Sequence, residues 1–193
     1  MIEIIFATGN PHKVEELEAM LPDNIKIKSL KDIGFTEDIP EDHETFHENA
    51  FQKAHYIANR FEVNCFGEDS GLEVFAINKE PGVYSARYAG EERDHGKNIK
   101  KLLNKMEGMT DRSARFVSSI ALILNGKEYL FEGEILGSIG TAEQGTGGFG
   151  YDPIFIPDGY QDSFGVLSNE IKNSISHRSK SVEKLIAFLK EYV

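Results

Sequence analysis

The pattern of apolar and polar residues near the start of the chain predicts a strand, a turn and a helix. Residues 2–7 are apolar except for Glu3, which fits a buried strand. Asn10 is a favoured helix N-cap, and Pro11 suits the first helical position. The helix keeps an apolar stripe at Val14, Leu17 and Leu21. Its N-terminal amide groups therefore point back toward the end of the strand, where they can bind phosphate oxygens.

Residues 43–47 match the His-Glu-x-x-His pattern of zinc proteases. That chemistry requires both histidines on one face of a helix. Thr45 followed by Glu48 is a capping box, so we expect the helix to begin at Thr45 and to leave His43 outside it. The zinc match is then accidental. Lys53 lies beside the apolar stripe of this helix, and its position alone predicts a surface lysine.

Two adjacent carboxylates and a hydroxyl lie between two apolar segments, residues 63–66 and 72–77. These four residues are Glu68-Asp69-Ser70-Gly71, and we expect them to form a turn at the end of a strand. Such a turn on a rigid edge is a candidate catalytic position. An acidic stretch, residues 37–44, precedes it and is expected to be a solvated loop.

The second half of the chain contains a strong hairpin signal. Asn125-Gly126 separates a long apolar strand, residues 114–124, from a returning strand at 127–132, which predicts a type I′ turn. A further strand is expected at 134–139, with a bulge at Gly137. Residues 94–108 predict a basic amphipathic helix that ends at Gly108, and residues 81–88 an ordered loop.

Residues 145–153 place four glycines around Phe149, ahead of a predicted strand at 154–156. This pattern favours a backbone that approaches a ligand closely, with Phe149 available to stack on a base. A terminal helix is predicted from Ser179. His177 and Arg178 would then precede it and project into a cleft.

Composition narrows the class of protein. A chain of 193 residues with 40% hydrophobic residues fits one domain over 1–193, or two lobes that share a sheet. The net charge of -11 argues against a nucleic-acid-binding surface, and no apolar run approaches the ~20 residues that span a membrane. The single cysteine, Cys65, excludes an intramolecular disulfide, so we expect a cytoplasmic protein.

Six motifs, in this order, resemble the inosine triphosphate pyrophosphatase family. They are Thr8-Gly9-Asn10 with Lys13, Thr45-Phe46 with Glu48-Asn49-Ala50, Asp69-Ser70-Gly71-Leu72, residues 81–87, residues 145–153, and Ser176-His177-Arg178. The resemblance implies an elongated α/β fold of two lobes around a mixed, twisted sheet with flanking helices, the active cleft between the lobes, and a homodimer. It also implies Mg²⁺-dependent hydrolysis of ITP, dITP and XTP to the monophosphate and pyrophosphate.

The resemblance also assigns roles to individual residues. Asp69 is the implied catalytic base and a metal ligand, with Glu41 and Glu68 as further metal ligands. The implied phosphate-binding residues are Thr8, Gly9, Asn10, Lys13 and Lys53, with Ser70 at the substrate. The implied nucleoside pocket comprises Phe149, Gly150, Tyr151, Asp152, Lys172, His177 and Arg178. Many members have Asp at the position of Glu68, so the side chain of this carboxylate is longer by one methylene here.

Electrostatics supports a metal if the three carboxylates converge. Two like charges ~4 Å apart cost about 4 kcal/mol at an effective dielectric of 20, so we expect Mg²⁺ among Glu41, Glu68 and Asp69. The donors of Lys172, His177 and Arg178 would favour a 6-oxo purine over adenine. Two alternatives remain: a related pyrophosphatase that acts on dTTP, UTP or modified pyrimidine nucleotides, and a nucleotide sensor without turnover.

Overall fold

The structure is a computed structural model, and it describes residues 2–192. Seven strands form a mixed sheet in the order β2-β1-β3-β5-β6-β7, and β4 pairs with β3. The strands are β1 (Ile2–Phe6), β2 (Ile25–Ser29), β3 (Cys65–Val74), β4 (Glu80–Pro81), β5 (Ser113–Leu124), β6 (Lys127–Ile139) and β7 (Phe155–Pro157). β1 is parallel to β2 and β3, whereas β4 is antiparallel to β3 and β7 to β6.

Five α-helices flank the sheet, as predicted for this α/β fold. They are α1 (Pro11–Glu18), α2 (Phe46–Phe61), α3 (His95–Lys105), α4 (Asn169–Ile175) and α5 (His177–Tyr192). Short 3-10 helices cover Lys31–Ile33, Phe75–Ile77, Gly82–Arg87 and Asp152–Ile154. Within residues 2–192 no helix is both long enough and apolar enough to cross a membrane.

The chain forms two compact units. The first contains residues 2–69, Ser118–Gly133 and residues 178–192; the second contains Ser70–Val117 and Glu134–His177. In the first unit β1 buries residues on both faces because its side chains alternate. Ile4 and Phe6 join the core with α1 and α5, whereas Ile5 and Ala7, the residue after the strand, join the core with α2.

The core of the second unit lies between α3 and the halves of the long strands that belong to this unit. Ile99 and Leu102 of α3 contribute to it, together with Met106 at the C-cap of the helix. They pack with buried side chains from β3, β5 and β6. Ile99, Leu102 and Met106 are spaced at three and four residues, as the sequence pattern predicted.

Several local predictions are confirmed. The side chain of Asn10 caps α1 and Pro11 follows it, while Thr45 caps α2 and leaves His43 outside the helix. Asn125 and Gly126 both have positive φ, 51° and 74°, as a type I′ hairpin requires.

Other boundaries were wrong. Residues 127–132 and 134–139 form one continuous strand, and Gly137 lies in its ladder opposite Pro157. A side chain there would collide with the backbone of Ile156, so this glycine permits the close approach of β7. The segment predicted as a loop at 81–88 contains a 3-10 helix, and α3 ends at Lys105, before Gly108. The strand predicted at 154–156 begins one residue later, at Phe155.

Candidate functional site

The four residues Glu68-Asp69-Ser70-Gly71 lie inside β3, and the predicted turn was wrong. β3 runs without a break from Cys65 to Val74. Successive side chains of a strand point to opposite faces, so Glu68 and Asp69 project to different sides of the sheet. Both are buried, with exposed fractions of 1% and 6%. Each carboxylate therefore requires its own partners.

Asp69 faces α2, where Lys53 and Asn49 lie one helical turn apart. The Lys53 Nζ lies 3.4 Å from Asp69 Oδ1 and also forms an ion pair with Glu41. Asn49 Nδ2 donates a hydrogen bond of 3.2 Å to Asp69 Oδ2. Lys53 is 5% exposed, so its expected position on the surface was wrong. A single ammonium group thus joins two of the predicted metal ligands.

Glu68 faces α1 and α5. Its Oε1 accepts hydrogen bonds from Arg178 Nε at 3.0 Å and from Ser118 Oγ at 2.9 Å. Its Oε2 lies 3.4 Å from Lys13 Nζ. The guanidinium of Arg178 also pairs with Glu16. Glu68 is therefore enclosed by two cations and a hydroxyl within the first unit.

The placement of His177 and Arg178 ahead of the terminal helix was wrong. The pair forms the first two residues of α5, which begins two residues earlier than predicted. Arg178 belongs to the first unit, beside Glu68, whereas His177 belongs to the second unit and stacks on Phe116 with ring centroids 4.8 Å apart. Helix geometry directs neighbouring residues to different faces.

Three cationic side chains, two lysines and one arginine, form ion pairs with the three carboxylates that were predicted to bind a metal. Lys53 pairs with Glu41 and Asp69, while Lys13 and Arg178 pair with Glu68. Like-charge repulsion therefore does not by itself require Mg²⁺. Within residues 2–192 the structure contains no group of three His, Cys, Asp or Glu side chains that could hold a metal.

Burial and neighbouring charges together set the pKa values of the central groups. Burial raises the pKa of Asp69, although Lys53 and Lys13 oppose the shift. Burial also disfavours the ammonium form of Lys53, but Asp69 and Glu41 outweigh it and raise the pKa of Lys53. At Lys13 burial prevails and lowers the pKa. Asp69 is therefore a stronger base than an ordinary carboxylate, with a charged lysine beside it.

The turn Thr8-Gly9-Asn10 joins β1 to α1 in the same unit. Thr8 Oγ1 accepts a hydrogen bond of 3.2 Å from the Asn10 N–H, and Asn10 Oδ1 accepts one of 3.0 Å from the His12 N–H. Gly9 is exposed, and a Cβ placed on it would meet no atom within 4 Å. The position of Gly9 in this turn therefore faces open space.

The second unit brings together the aromatic part of the predicted site. The turn from Phe149 to Asp152 is closed by the carboxylate of Asp152. Its Oδ2 accepts a hydrogen bond of 2.8 Å from the Phe149 N–H and one of 2.6 Å from Lys172 Nζ. Lys172 Nζ also lies 4.8 Å from the centre of the Phe149 ring. Asp152 and Lys172 are both 3% exposed, so this is a buried ion pair. It fixes the position of the partly exposed Phe149 ring.

Glycines permit this turn. Gly148 has φ +70°, and a Cβ there would lie 2.1 Å from Asp152 Oδ2. Gly150 also has positive φ, but a Cβ there would meet nothing within 4 Å. The first glycine is thus required by the packing of the protein itself, whereas the second faces open space.

The other predicted residues of this unit have clear local partners or positions. The Tyr151 hydroxyl donates a hydrogen bond of 2.8 Å to the backbone oxygen of Ser85. This bond anchors the turn to the 3-10 helix Gly82–Arg87. Ser70 is a partly exposed residue of β3. The Gly150 N–H donates a hydrogen bond of 3.3 Å to Nδ1 of His95, which lies on α3.

Sequence reasoning missed several contacts of the two sites. Asn49 was part of a recognised motif but had no assigned role, although it lies four residues before Lys53 and hence on the same helix face. Ser118, Glu16 and His95 were not singled out. Their polar groups lie far along the chain from their partners, so no local pattern marks them.

Comparison with known proteins identifies relatives over nearly the whole chain. The sequence profile of the Ham1 family matches residues 4–188. A Flavobacterium johnsoniae protein named dITP/XTP pyrophosphatase is 48% identical over 188 residues, which are 97% of this chain and 98% of that protein. The structure of the Staphylococcus aureus Ham1 protein matches with a TM-score of 0.90, 38% identity and full coverage of both chains. A Coxiella burnetii HAM1 protein matches with a TM-score of 0.91, 37% identity, and coverage of 99% of this chain and 100% of that one.

Proposed function

Because the chain belongs to the Ham1 family, we propose that it hydrolyses dITP, ITP and XTP to the nucleoside monophosphate and pyrophosphate. The observation that carries the mechanism is the contact of buried Asp69 with Lys53, which also holds Glu41. This pairs a carboxylate base with a fixed positive charge, as phosphoryl chemistry requires. The turn Thr8-Gly9-Asn10 and Lys13 supply further groups for phosphate oxygens.

The proposed reaction begins with a water molecule that transfers its proton to Asp69 as its oxygen attacks the α-phosphorus. A new bond forms between that oxygen and phosphorus, and the bond from phosphorus to the bridging oxygen of the β-phosphate breaks. Pyrophosphate leaves with the electron pair. Lys13 and Lys53 stabilise the negative charge that develops on it.

Glu41 and Asp69 fit a magnesium ion. Mg²⁺ is held in proteins by one or two carboxylates together with substrate phosphates, and these two carboxylates share the ammonium of Lys53. The bound ion would neutralise phosphate charge and lower the pKa of a bound water. Glu68 contacts Lys13 and Arg178, so we propose that it orients these cations; its role as a third ligand stays a prediction.

The second unit supplies the proposed purine site. The ring of Phe149 is partly exposed and held by the Asp152–Lys172 ion pair, which suits it to stack on a base. Lys172 carries N–H groups that can donate to a 6-oxo group, whereas adenine presents an amino donor at that position. His177, Tyr151 and Gly150 belong to the same predicted pocket. We also propose a cytoplasmic homodimer, as the family resemblance implies.

A base panel tests the substrate class. Purified protein with Mg²⁺ is given dITP, XTP, dATP, dGTP, dTTP and UTP, and pyrophosphate release is measured for each. We expect kcat/KM for dITP and XTP to exceed that for dATP by roughly 10- to 100-fold, the effect of one buried polar mismatch. Preference for dTTP or UTP would indicate a pyrimidine pyrophosphatase, and binding without turnover would indicate a sensor.

A further inference from the structure

Asn49 connects the predicted base to the segment that carries Glu41. We propose that Asn49 is a positioning residue, which holds the carboxylate of Asp69 in its reactive orientation. The inference rests on the proposed function, because it assigns Asp69 the role of base. It adds a specific residue to that mechanism.

The side-chain amide of Asn49 is bonded on both of its ends. Its Nδ2 donates a hydrogen bond of 3.2 Å to Asp69 Oδ2 and another of 3.2 Å to the backbone oxygen of His43. Its Oδ1 accepts a hydrogen bond of 2.9 Å from the His43 N–H. Only 1% of the residue is exposed. A buried amide with both N–H groups and its oxygen engaged is fixed in one orientation.

The hydrogen bond at Asp69 determines which oxygen faces the cation. Asn49 engages Oδ2, while Oδ1 lies 3.4 Å from Lys53 Nζ. Without the amide the carboxylate could rotate about its last torsion, which is broad in aspartate. A catalytic group displaced by ~1 Å can cost about 100-fold in rate. The amide thus restrains the base on the side away from Lys53.

A neighbour on the same helix provides a matched control. Gln52 Oε1 accepts a hydrogen bond of 3.0 Å from the Asp42 N–H, and Gln52 Nε2 donates one of 2.9 Å to Asp42 Oδ2. Asn49, Gln52 and Lys53 thus hold three consecutive residues of one loop, His43, Asp42 and Glu41. Gln52→Ala removes two loop contacts, as Asn49→Ala does, but leaves the Asn49 bond to Asp69 intact.

The experiment compares steady-state kinetics of dITP hydrolysis in Asn49→Ala, Gln52→Ala, Asp69→Asn and the double variant Asp69→Asn/Asn49→Ala. We expect Asn49→Ala to lower kcat about 100-fold with a change in KM below about threefold. Gln52→Ala should keep kcat within about threefold of the parent protein. In the double variant, the residual turnover of Asp69→Asn should not fall further, because Asn49 acts through Asp69.

Three results would overturn the proposal: equal losses of kcat in the Asn49 and Gln52 variants, a loss confined to KM, or additive losses in the double variant. If Asn49→Ala does not fold, Asn49→Ser, which keeps one donor, is judged by the same criteria. Failure of the proposed function has a different signature, since the unsubstituted protein itself would then release no pyrophosphate from dITP.

Discussion

Glu68 and Asp69 are adjacent in β3, yet their carboxylates contact different sets of partners. Glu68 pairs with Lys13 and Arg178, whereas Asp69 contacts Lys53 and Asn49 of α2. The pleat of the strand separates the two charges, and each face supplies cations. One carboxylate is thereby part of a buried ion network, and the other is the candidate base.

Replacement of Asp69 by asparagine is expected to lower kcat sharply while preserving the fold. The amide cannot accept the proton of the attacking water, and general-base catalysis contributes ~10²- to 10⁴-fold. Measured kcat for dITP should fall by that factor, and binding of dITP, followed by calorimetry, should persist. Nearly normal pyrophosphate release from a correctly folded variant would contradict the assignment.

Replacement of Arg178 by methionine is expected to destabilise the protein. It leaves Glu68 buried without its guanidinium partner, and loss of one member of a buried pair costs about 3–5 kcal/mol in the free energy of unfolding. Urea denaturation measures the change. The matched control is Arg60→Met, which removes an exposed pair with Glu37 and should have a much smaller effect. Equal effects of the two substitutions would show that the network contributes no special stability.

Replacement of Phe149 by alanine is expected to lower kcat/KM for every purine substrate. Stacking of a base on an aromatic ring is worth ~1–3 kcal/mol, so kcat/KM for dITP should fall about 5- to 150-fold. Phe75→Ala, at an exposed phenylalanine of the same unit, serves as the control and should leave kcat/KM unchanged. If both variants behave like the parent protein, Phe149 does not contact the base.

Cys65 gives a pH-dependent prediction about stability. Burial raises the pKa of its thiol from an ordinary 9.0 to about 12, so the folded state keeps the proton that the unfolded chain releases. The stability associated with this thiol is present below pH 9 and is lost as pH rises. At pH 10 the loss is about 1.4 kcal/mol relative to neutral pH.

The comparison with Cys65→Ala isolates this effect from other titrating groups. The free energy of unfolding should decline less steeply between pH 8 and pH 10 in the variant than in the parent protein. Iodoacetamide should modify the thiol of the parent protein only after unfolding. Rapid alkylation at pH 8 under native conditions would show that the thiol is accessible.

Local patterns were sufficient to predict the elements whose signals lie in neighbouring residues. Caps at Asn10 and Thr45 and the turn Asn125-Gly126 depend on short-range hydrogen bonds or on φ, and all three are confirmed. The apolar stripes of α1, α2, α3 and α5 likewise follow from helical spacing. The mixed sheet with flanking helices followed from the family resemblance.

The error at Glu68 and Asp69 has a physical origin. Two charged residues inside a strand conflict with local propensity, and their stability there comes from partners on α1, α2 and α5, far along the chain. No pattern near residues 68–71 reveals these partners. The same limitation explains why Lys53 was expected on the surface and why Asn49 received no role.

The identity of the products from dITP tests the central claim most directly. Phosphorus NMR of dITP incubated with the protein and Mg²⁺ is expected to show deoxyinosine monophosphate and pyrophosphate in equal amounts. The Asp69→Asn protein should leave dITP intact over the same period. Formation of deoxyinosine diphosphate and orthophosphate, or the absence of any product with the parent protein, would contradict the account.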